Sequence, residues 1–63
     1  SMTAEIVYDD GSFMIQLVTY PADPIDYYEI YTADHDLLEV FYSLEEAKQF
    51  IEYGDADAQL TIL

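Results

Sequence analysis

The stretch YEIYTADHDLLEVFYSLEEAKQFI, from Tyr28 to Ile51, contains two strand patterns, a turn and a helix pattern in direct succession. Aromatic and β-branched residues dominate residues 25–32, and residues 37–42 (LLEVFY) have the same character, so both segments are predicted to be strands. The polar residues 33–36 (ADHD) separate them and predict a turn. The stretch therefore predicts a β-hairpin that leads directly into a helix.

The pairing within this hairpin follows from which residues would be buried. In the register that exposes both glutamates, one face is apolar and packs on the core. Its members are Tyr28, Ile30, Leu38 and Val40. The other face points outward and carries Tyr27, Glu29, Tyr31 and Glu39. An acid flanked by exposed tyrosines suits a binding surface, because tyrosine supplies contact area at low entropic cost. Coverage of this face by a second copy of the chain is the alternative.

The predicted helix has signals at both of its ends. Ser43 followed by Glu46 matches a capping box, in which each side chain can satisfy a free backbone N–H. Gly54 suits the C-terminal cap, so the helix is predicted over Leu44–Tyr53. Apolar residues recur at helical spacing and predict one buried stripe. These are Leu44, Ala47, Phe50 and Ile51.

A further hairpin is predicted upstream, around Asp10-Gly11. This dipeptide favours a two-residue type I′ turn between strands at residues 4–9 (AEIVYD) and 12–19 (SFMIQLVT). A loop of that length implies cross-strand pairs that form one wholly apolar face. The pairs are Tyr8 with Phe13, Ile6 with Ile15, and Ala4 with Leu17.

The remaining segments complete the predicted topology. Two prolines make residues 20–24 (YPADP) a loop, because proline cannot pair within a central strand. Residues 58–63 (AQLTIL) alternate and predict a last strand, with Leu60 and Ile62 inward. The predicted order is β-β-β-β-α-β. This is an α+β domain, with a small antiparallel sheet of four to five strands and one helix packed on one face.

Composition indicates a single folded domain over residues 1–63. The chain is 52% hydrophobic, with seven Tyr and three Phe, which permits a core. It contains no cysteine, so neither a disulfide nor a thiolate metal site braces the fold. Ser1 before Met2 is typical of the scar that removal of a purification tag leaves. Without a signal-peptide pattern or a long apolar run, a cytoplasmic location is expected.

The residues that could carry chemistry form no catalytic or metal-binding pattern. His35, the only histidine, lies between two aspartates and is interpreted as a turn residue rather than a general base or metal ligand. Residues 34–36 and 55–57 read Asp-x-Asp, but neither continues into a calcium-binding loop. A chain this short also leaves little room for a pocket. We therefore expect no enzymatic activity, no metal and no cofactor.

Net charge is the most specific feature of the sequence. Fourteen acids stand against one basic residue, Lys48, for a formal net charge of −13. A domain of this length is about 27 Å across, and duplex DNA carries about 16 charges over that distance. Solubility alone needs a charge of only about 2–8. Direct binding to nucleic acid or anionic lipid is not expected, and the charge density favours a basic protein partner.

The chain resembles the small acidic DNA-mimic inhibitors encoded by phages, and most of all the anti-CRISPR proteins directed at type I (Cascade) systems. It shares with them short length, absence of cysteine, a pI near 4.1 and a sheet with one helix. The stretch from Tyr28 to Ile51 is similar to a hairpin-plus-helix unit of small phage proteins. The resemblance implies that an acidic face occupies a Lys/Arg-lined DNA site, such as one on a Cascade subunit, in the cytoplasm of the bacterial host.

The residues expected to contact such a partner lie along the second hairpin and the loop before it. The phosphate stand-ins are Asp23, Asp26, Glu29, Asp34, Asp36 and Glu39, with Tyr27 and Tyr31 as neighbouring anchors. Two alternatives to DNA mimicry remain open. One is an acidic antitoxin or adaptor that masks a basic protein, and the other is a structural homodimer whose sheets pair through the tyrosines.

Overall fold

The computed structural model describes residues 1–54, which form a sheet of four strands and one helix. The elements are β1 (Thr3–Asp9), β2 (Phe13–Tyr20), β3 (Asp23–Thr32), β4 (Leu37–Phe41) and α1 (Leu44–Tyr53). Consecutive strands pair antiparallel in the order β1-β2-β3-β4, so the sheet is open at both edges. The predicted α+β class is confirmed. The strand predicted at residues 58–63 lies outside the described residues.

The core lies between the sheet and α1. Ile15 of β2 and Ile30 of β3 face each other across the strands, are fully buried and pack with Ala47 of the helix. Other apolar side chains are partly buried around them. These are Val7, Tyr8, Phe13, Tyr28, Phe41, Leu44, Phe50 and Ile51. The predicted apolar stripe of α1 is therefore the side of the helix that packs on the sheet.

Both ends of α1 are capped, as the sequence predicts. Ser43 Oγ accepts a hydrogen bond from the backbone N–H of Glu46 at 3.2 Å and donates one to Glu46 Oε1 at 3.1 Å. Gly54 adopts a left-handed φ of 82°, and its N–H donates to the Phe50 carbonyl at 2.7 Å. The Glu46 N–H and the Phe50 carbonyl thereby gain partners that the end of a helix otherwise leaves unfilled. The capping box differs from the prediction in one respect, because Glu46 Oε1 accepts from the Ser43 hydroxyl and not from the Ser43 backbone N–H.

The first hairpin forms, but its turn differs from the prediction. The backbone N–H of Asp10 donates to the Phe13 carbonyl at 3.1 Å, which centres the turn on Gly11-Ser12. Asp10 Oδ1 also accepts from the backbone N–H groups of Ser12 and Phe13, both at 2.8 Å. Among the turn residues only Gly11 has a positive φ, of 89°, whereas a type I′ turn needs two such residues. The aspartate therefore holds the turn through its side chain and does not occupy its centre.

The predicted register of this hairpin is wrong. Ile6 faces Gln16 instead of Ile15, and a bulge at Val7 lets Tyr8 face Ile15. Val7 and Tyr8 both pack against the core although they are consecutive, because a bulge places two residues opposite one. Ile6 lies on the other side of the sheet and is 57% exposed. The remaining observed pairs include Ala4 with Val18, Glu5 with Leu17, and Asp9 with Met14.

The second hairpin joins the predicted strands, and its β3 half has the predicted faces. Tyr28 and Ile30 lie on the core side. The β4 half of the prediction is wrong. Leu38 and Val40 are 44% and 36% exposed, whereas Phe41 packs against the core.

A bulge at Leu38 causes this change, because the residue has no partner on β3. Glu39 consequently faces Ile30, on the helix side of the sheet, where the prediction placed it on the opposite side. Phe41 turns toward the helix, and its ring centroid lies 5.6 Å from that of Phe50. Burying this aromatic ring removes more apolar area from water than burying a valine would, which favours the observed register.

The start of β3 also carries an irregularity. The strand begins at Asp23, two residues before the predicted start at residue 25. Tyr20 pairs with Asp23 whereas Thr19 pairs with Asp26, which leaves residues 24–25 outside the ladder. A strand tolerates proline at such a bulge because no backbone N–H is needed there. The bulge brings an aspartate beside the aromatic residues described below.

Candidate protein-binding surface

The helix packs on one side of the sheet, and no other element of residues 1–54 packs on the opposite side, which we call the uncovered face. Strand register and ring contacts assign its members. They are Ala4, Ile6, Asp9, Met14, Gln16, Val18, Tyr20, Tyr27, Glu29, Tyr31, Leu37, Val40 and Tyr42. The solvent side of an antiparallel sheet usually carries polar residues. Large exposed apolar patches of this kind mark interaction sites.

The uncovered face has a packed centre and an exposed margin. Val18 is only 2% exposed, although it points away from the helix, and it lies opposite Tyr27 on the neighbouring strand. Tyr20, Leu37 and Tyr42 are exposed around this centre. A domain this small has little apolar surface to leave in water. The exposed margin is therefore more consistent with a contact surface than with folding requirements alone.

Two tyrosines of this face donate hydrogen bonds to carboxylates. Tyr27 Oη donates to Asp23 Oδ2 and Tyr31 Oη to Glu29 Oε1, each at 2.5 Å. Each bond is the main cause that raises the pKa of its tyrosine to about 12, with partial desolvation as the next cause. The phenols therefore stay neutral over the physiological range. The bonds hold the carboxylates in fixed positions beside aromatic rings.

Further aromatic rings lie next to Tyr27, at the end of the sheet where β2 connects to β3. The ring centroid of Tyr27 lies 5.9 Å from that of Tyr20, nearly edge-on, and 5.7 Å from that of Tyr42. A cleft of about 300 Å³ opens beside them. Its lining consists of Tyr20, Asp23, Tyr27, Glu29 and Val40. The cleft thus combines two carboxylates with aromatic walls.

Acids also gather at the opposite end of the sheet, where the β1–β2 and β3–β4 turns meet. Asp9, the last residue of β1, and His35 of the β3–β4 turn line one cleft of about 240 Å³. Hydrogen bonds from the backbone of Phe13 and Ser12, and then from Tyr8 Oη at 2.9 Å, lower the pKa of Asp10. The carboxylate consequently stays ionised and keeps its turn rigid.

His35 has a structural role in the β3–β4 turn. It adopts a left-handed φ of 68° and donates its backbone N–H to the Thr32 carbonyl at 2.9 Å. Thr32 N–H in turn donates to the Asp36 carbonyl at 2.9 Å, and Thr32 Oγ1 accepts from the backbone N–H groups of Asp34 and Asp36. The turn therefore presents both aspartates on a defined backbone.

The residues predicted to contact a partner fall into separate groups. Tyr27, Glu29 and Tyr31 lie together on the uncovered face, and Asp23 joins them through its hydrogen bond. Asp26 lies opposite Thr19 and accepts a hydrogen bond from it at 3.4 Å, on the other side of the strand. Asp34 and Asp36 lie in the turn at the far end, and Glu39 lies on the helix side of the sheet. The predicted set is thus not one continuous patch.

The structure adds residues that the sequence analysis did not select. Tyr20, Val40 and Tyr42 belong to the uncovered face and lie next to Tyr27 or Glu29. The alternation of Val18 with Tyr20, and of Val40 with Tyr42, is the signal that places these tyrosines on one face. That signal becomes usable only when the register of each strand is known.

Two other kinds of feature are absent from the described residues. No group of three or more His, Cys, Asp or Glu side chains within residues 1–54 is arranged to hold a metal ion. In the same part of the chain, no helix is both long enough and apolar enough to cross a membrane. The features of this region that stand out are its carboxylates and its uncovered face.

Comparison with known proteins yields no relative. The chain matches no protein-family model, no curated protein and no solved structure. Its function is therefore inferred from its own residues and their geometry.

Proposed function

We propose that this protein is an acidic inhibitor that mimics DNA and occupies the positively charged nucleic-acid-binding site of a bacterial defence complex. The observation that carries the proposal is the exposure of its acids. Within residues 1–54 every carboxylate is exposed except those of Asp23 and Glu29, which are half-buried. The single basic side chain, Lys48, has its ammonium 5.7 Å from the ring centroid of Tyr8. Twelve of the fourteen acids lie in this part of the chain, so most of the net charge of −13 is displayed at the surface with almost no compensating positive charge.

The acids extend along the whole sheet. β3 carries Asp23 and Asp26 near its start and Glu29 at its middle, and Asp34 and Asp36 follow in the turn at its end. At the rise of a strand, residues 26–34 span about 26 Å. About eight base pairs of DNA cover this distance. A basic groove built for a short duplex segment could therefore contact acids at both ends of this protein.

The rigidity of the acid-bearing turns supports the same function. Hydrogen bonds organise the turn around Asp10 and the turn that presents Asp34 and Asp36. Because the backbone of these turns is already ordered, binding to a complementary surface does not carry the entropic cost of ordering the loops. The field of such a surface also accelerates association with a basic partner, and salt weakens this effect.

The mechanism is competition. The acidic protein occupies Lys and Arg side chains that otherwise contact DNA phosphates, and the target duplex is excluded. A subunit of a type I CRISPR Cascade complex in the host cytoplasm is the partner that the resemblance to anti-CRISPR proteins implies. An antitoxin or adaptor that masks a basic protein would use the same charge, but its effect would not depend on competition with DNA.

The test begins with capture of partners from bacterial lysate by the tagged protein, at low and at high salt. A captured nucleic-acid-binding complex is purified, and its binding to labelled target duplex is measured while the acidic protein is added. We expect duplex binding to disappear at a stoichiometric ratio and the inhibitory complex to dissociate at high salt. Failure to displace duplex from any captured partner refutes DNA mimicry.

Charge reversal at one end of the sheet locates the contact. The first double variant combines Asp34→Lys with Asp36→Lys. The control is a second double variant, Glu5→Lys with Glu52→Lys, which changes the net charge by the same amount. None of these four side chains makes a hydrogen bond among the described residues, so both variants should keep the fold. We expect inhibition to weaken about tenfold or more in the first variant only. Equal weakening would mean that total charge, rather than this turn, determines binding.

A further inference from the structure

The uncovered face is not explained by charge mimicry alone. DNA presents charged phosphates, whereas this face presents apolar and aromatic side chains. Ile6, Leu37 and Tyr42 are 57%, 53% and 68% exposed. The same face holds the half-buried carboxylates of Asp23 and Glu29. A partner surface that matches it must therefore offer apolar area together with positive charge.

We propose that the uncovered face docks on a basic protein surface and that its cleft receives an arginine side chain of that partner. This inference rests on the proposed function, because it names a contact that the same basic partner makes. The cleft of about 300 Å³ is large enough for a guanidinium group and is bounded by Tyr20, Tyr27 and Val40. Its two carboxylates supply acceptors on the same lining.

The acceptors of the cleft have capacity for an incoming cation. Glu29 Oε1 accepts from Tyr31 Oη, and Asp23 accepts from Tyr27 Oη and from the backbone N–H of Ile25. An ionised carboxylate offers about four lone-pair sites. Each acid therefore retains acceptor sites that a guanidinium N–H can use. Because tyrosine hydroxyls hold both acids, these acceptors are oriented before the partner arrives.

Arginine fits this lining better than lysine does. Its guanidinium is planar, binds carboxylates through two parallel N–H groups and stacks on aromatic rings. It is also hydrated more weakly than an ammonium group, so burial beside Tyr20 and Tyr27 costs less. A cation over a tyrosine ring gains further stabilisation. The cleft thus distinguishes two cations of equal charge.

Electrostatics argues against a second copy as the occupant. Each copy carries a net charge of −13, so pairing two uncovered faces would bring like charges together. Such pairing would also bury Asp23 and Glu29 of both copies without a cation. Burying an unpaired charge is strongly unfavourable. Charge complementarity therefore selects a basic partner for this face.

The test uses the isolated protein and a small probe, so that it does not depend on the identity of the partner. N-acetyl-arginine amide is titrated into the labelled protein, and backbone and side-chain chemical shifts are followed by NMR. N-acetyl-lysine amide serves as the probe of equal charge. We expect saturable shifts at Tyr20, Tyr27, Glu29 and Val40, with lysine binding several-fold more weakly.

Two variants and one control make the test specific. Glu29→Gln removes the charge but keeps an acceptor for Tyr31, and we expect about fivefold weaker binding of the arginine probe. Tyr20→Leu removes the ring but keeps an apolar wall, and we expect binding to weaken as well. Glu45→Gln makes the same charge change in the first turn of α1, away from the cleft, and should leave the affinity unaltered.

The result that overturns the inference is easily recognised. The inference is overturned if both probes cause equal chemical-shift changes at all the acids and Glu29→Gln does not alter them. The probes would then associate with the acidic surface in general and not with the cleft. Self-association that Tyr42→Asp abolishes, measured by analytical ultracentrifugation, would assign the face to a second copy and equally overturn the proposal. Binding of the arginine probe in a protein that fails to displace DNA would retain this site while refuting the proposed function.

Discussion

Replacing Ile30 with alanine tests the core that the structure assigns to the interface between sheet and helix. Ile30 is fully buried and packs with Ile15 and Ala47. Leu38 is 44% exposed at a bulge of β4. Because the sequence pattern assigns both Ile30 and Leu38 to the core, alanine substitutions at these positions discriminate between the predicted register and the observed one.

The expected magnitudes follow from the two exposures. Ile30→Ala removes three buried carbons, worth about 2.4 kcal/mol of transfer free energy, and the incompletely filled cavity brings the loss to about 3–4 kcal/mol. Leu38→Ala removes as many carbons from a side chain that is about half exposed, for a loss of about 1 kcal/mol. A domain of this length has about 3–9 kcal/mol in total. Ile30→Ala therefore removes at least about a third of the stability.

The assay is urea denaturation followed by circular dichroism, with the free energy of unfolding as the result. Ile30→Val is included because it removes a single methylene, costs about 1 kcal/mol and remains measurable if the alanine variant does not fold. Leu38→Ala is the matched control. We expect Ile30→Ala to lower the free energy of unfolding by far the most. Ile30→Val and Leu38→Ala should lower it by similar, smaller amounts.

A particular outcome would refute this reasoning. If Leu38→Ala cost as much as Ile30→Ala, both residues would be in the core, and the bulge at Leu38 would be absent in solution. The observed pairing of Glu39 with Ile30 would then also be wrong.

The remaining predictions concern helix caps and tyrosine ionisation. Ser43→Ala should lower the free energy of unfolding by about 1 kcal/mol in chemical denaturation, because the Oγ acceptor of the first turn is lost. Gly54→Ala should lower the free energy of unfolding by about 1 kcal/mol in the same assay. The cause is the left-handed φ of 82° alone, because an added Cβ meets no atom within 4 Å. Gly54→Asn should cost less, because asparagine adopts this conformation more readily than alanine does. In an ultraviolet titration of tyrosinate, Tyr27 and Tyr31 should ionise with pKa values of about 12, and Asp23→Asn should return Tyr27 toward its ordinary value. Tyrosine in an unfolded chain ionises at pH ~10, so the two hydrogen bonds stabilise the folded state fully below that pH. This stabilisation is lost as the pH rises through the folded-state pKa of about 12. A hydroxide titration that leaves stability constant across this window would contradict the two hydrogen bonds.

The candidate surface was only partly predictable. Alternation within β3 is a local property, so it correctly placed Tyr27, Glu29 and Tyr31 on the side opposite Ile30. The position of Glu39 depends on the bulge of the neighbouring strand, and the alternation of β4 alone placed it on the wrong side. The sequence analysis therefore identified the β3 part of the uncovered face but not the parts that β1, β2 and β4 supply.

The sequence by itself determined the features that depend on neighbouring residues. The order of strands and helix, the Ser43 and Gly54 caps and the acidic surface follow from turn chemistry, capping and charge, which act within a few residues. Only the tertiary structure decided the registers, because three bulges shift the pairing. A bulge forms where covering the core, as Val7 and Phe41 do beside α1, gains more free energy than regular pairing. That balance depends on residues distant in the sequence, and it leaves Ile6, Val40 and Tyr42 on the uncovered face.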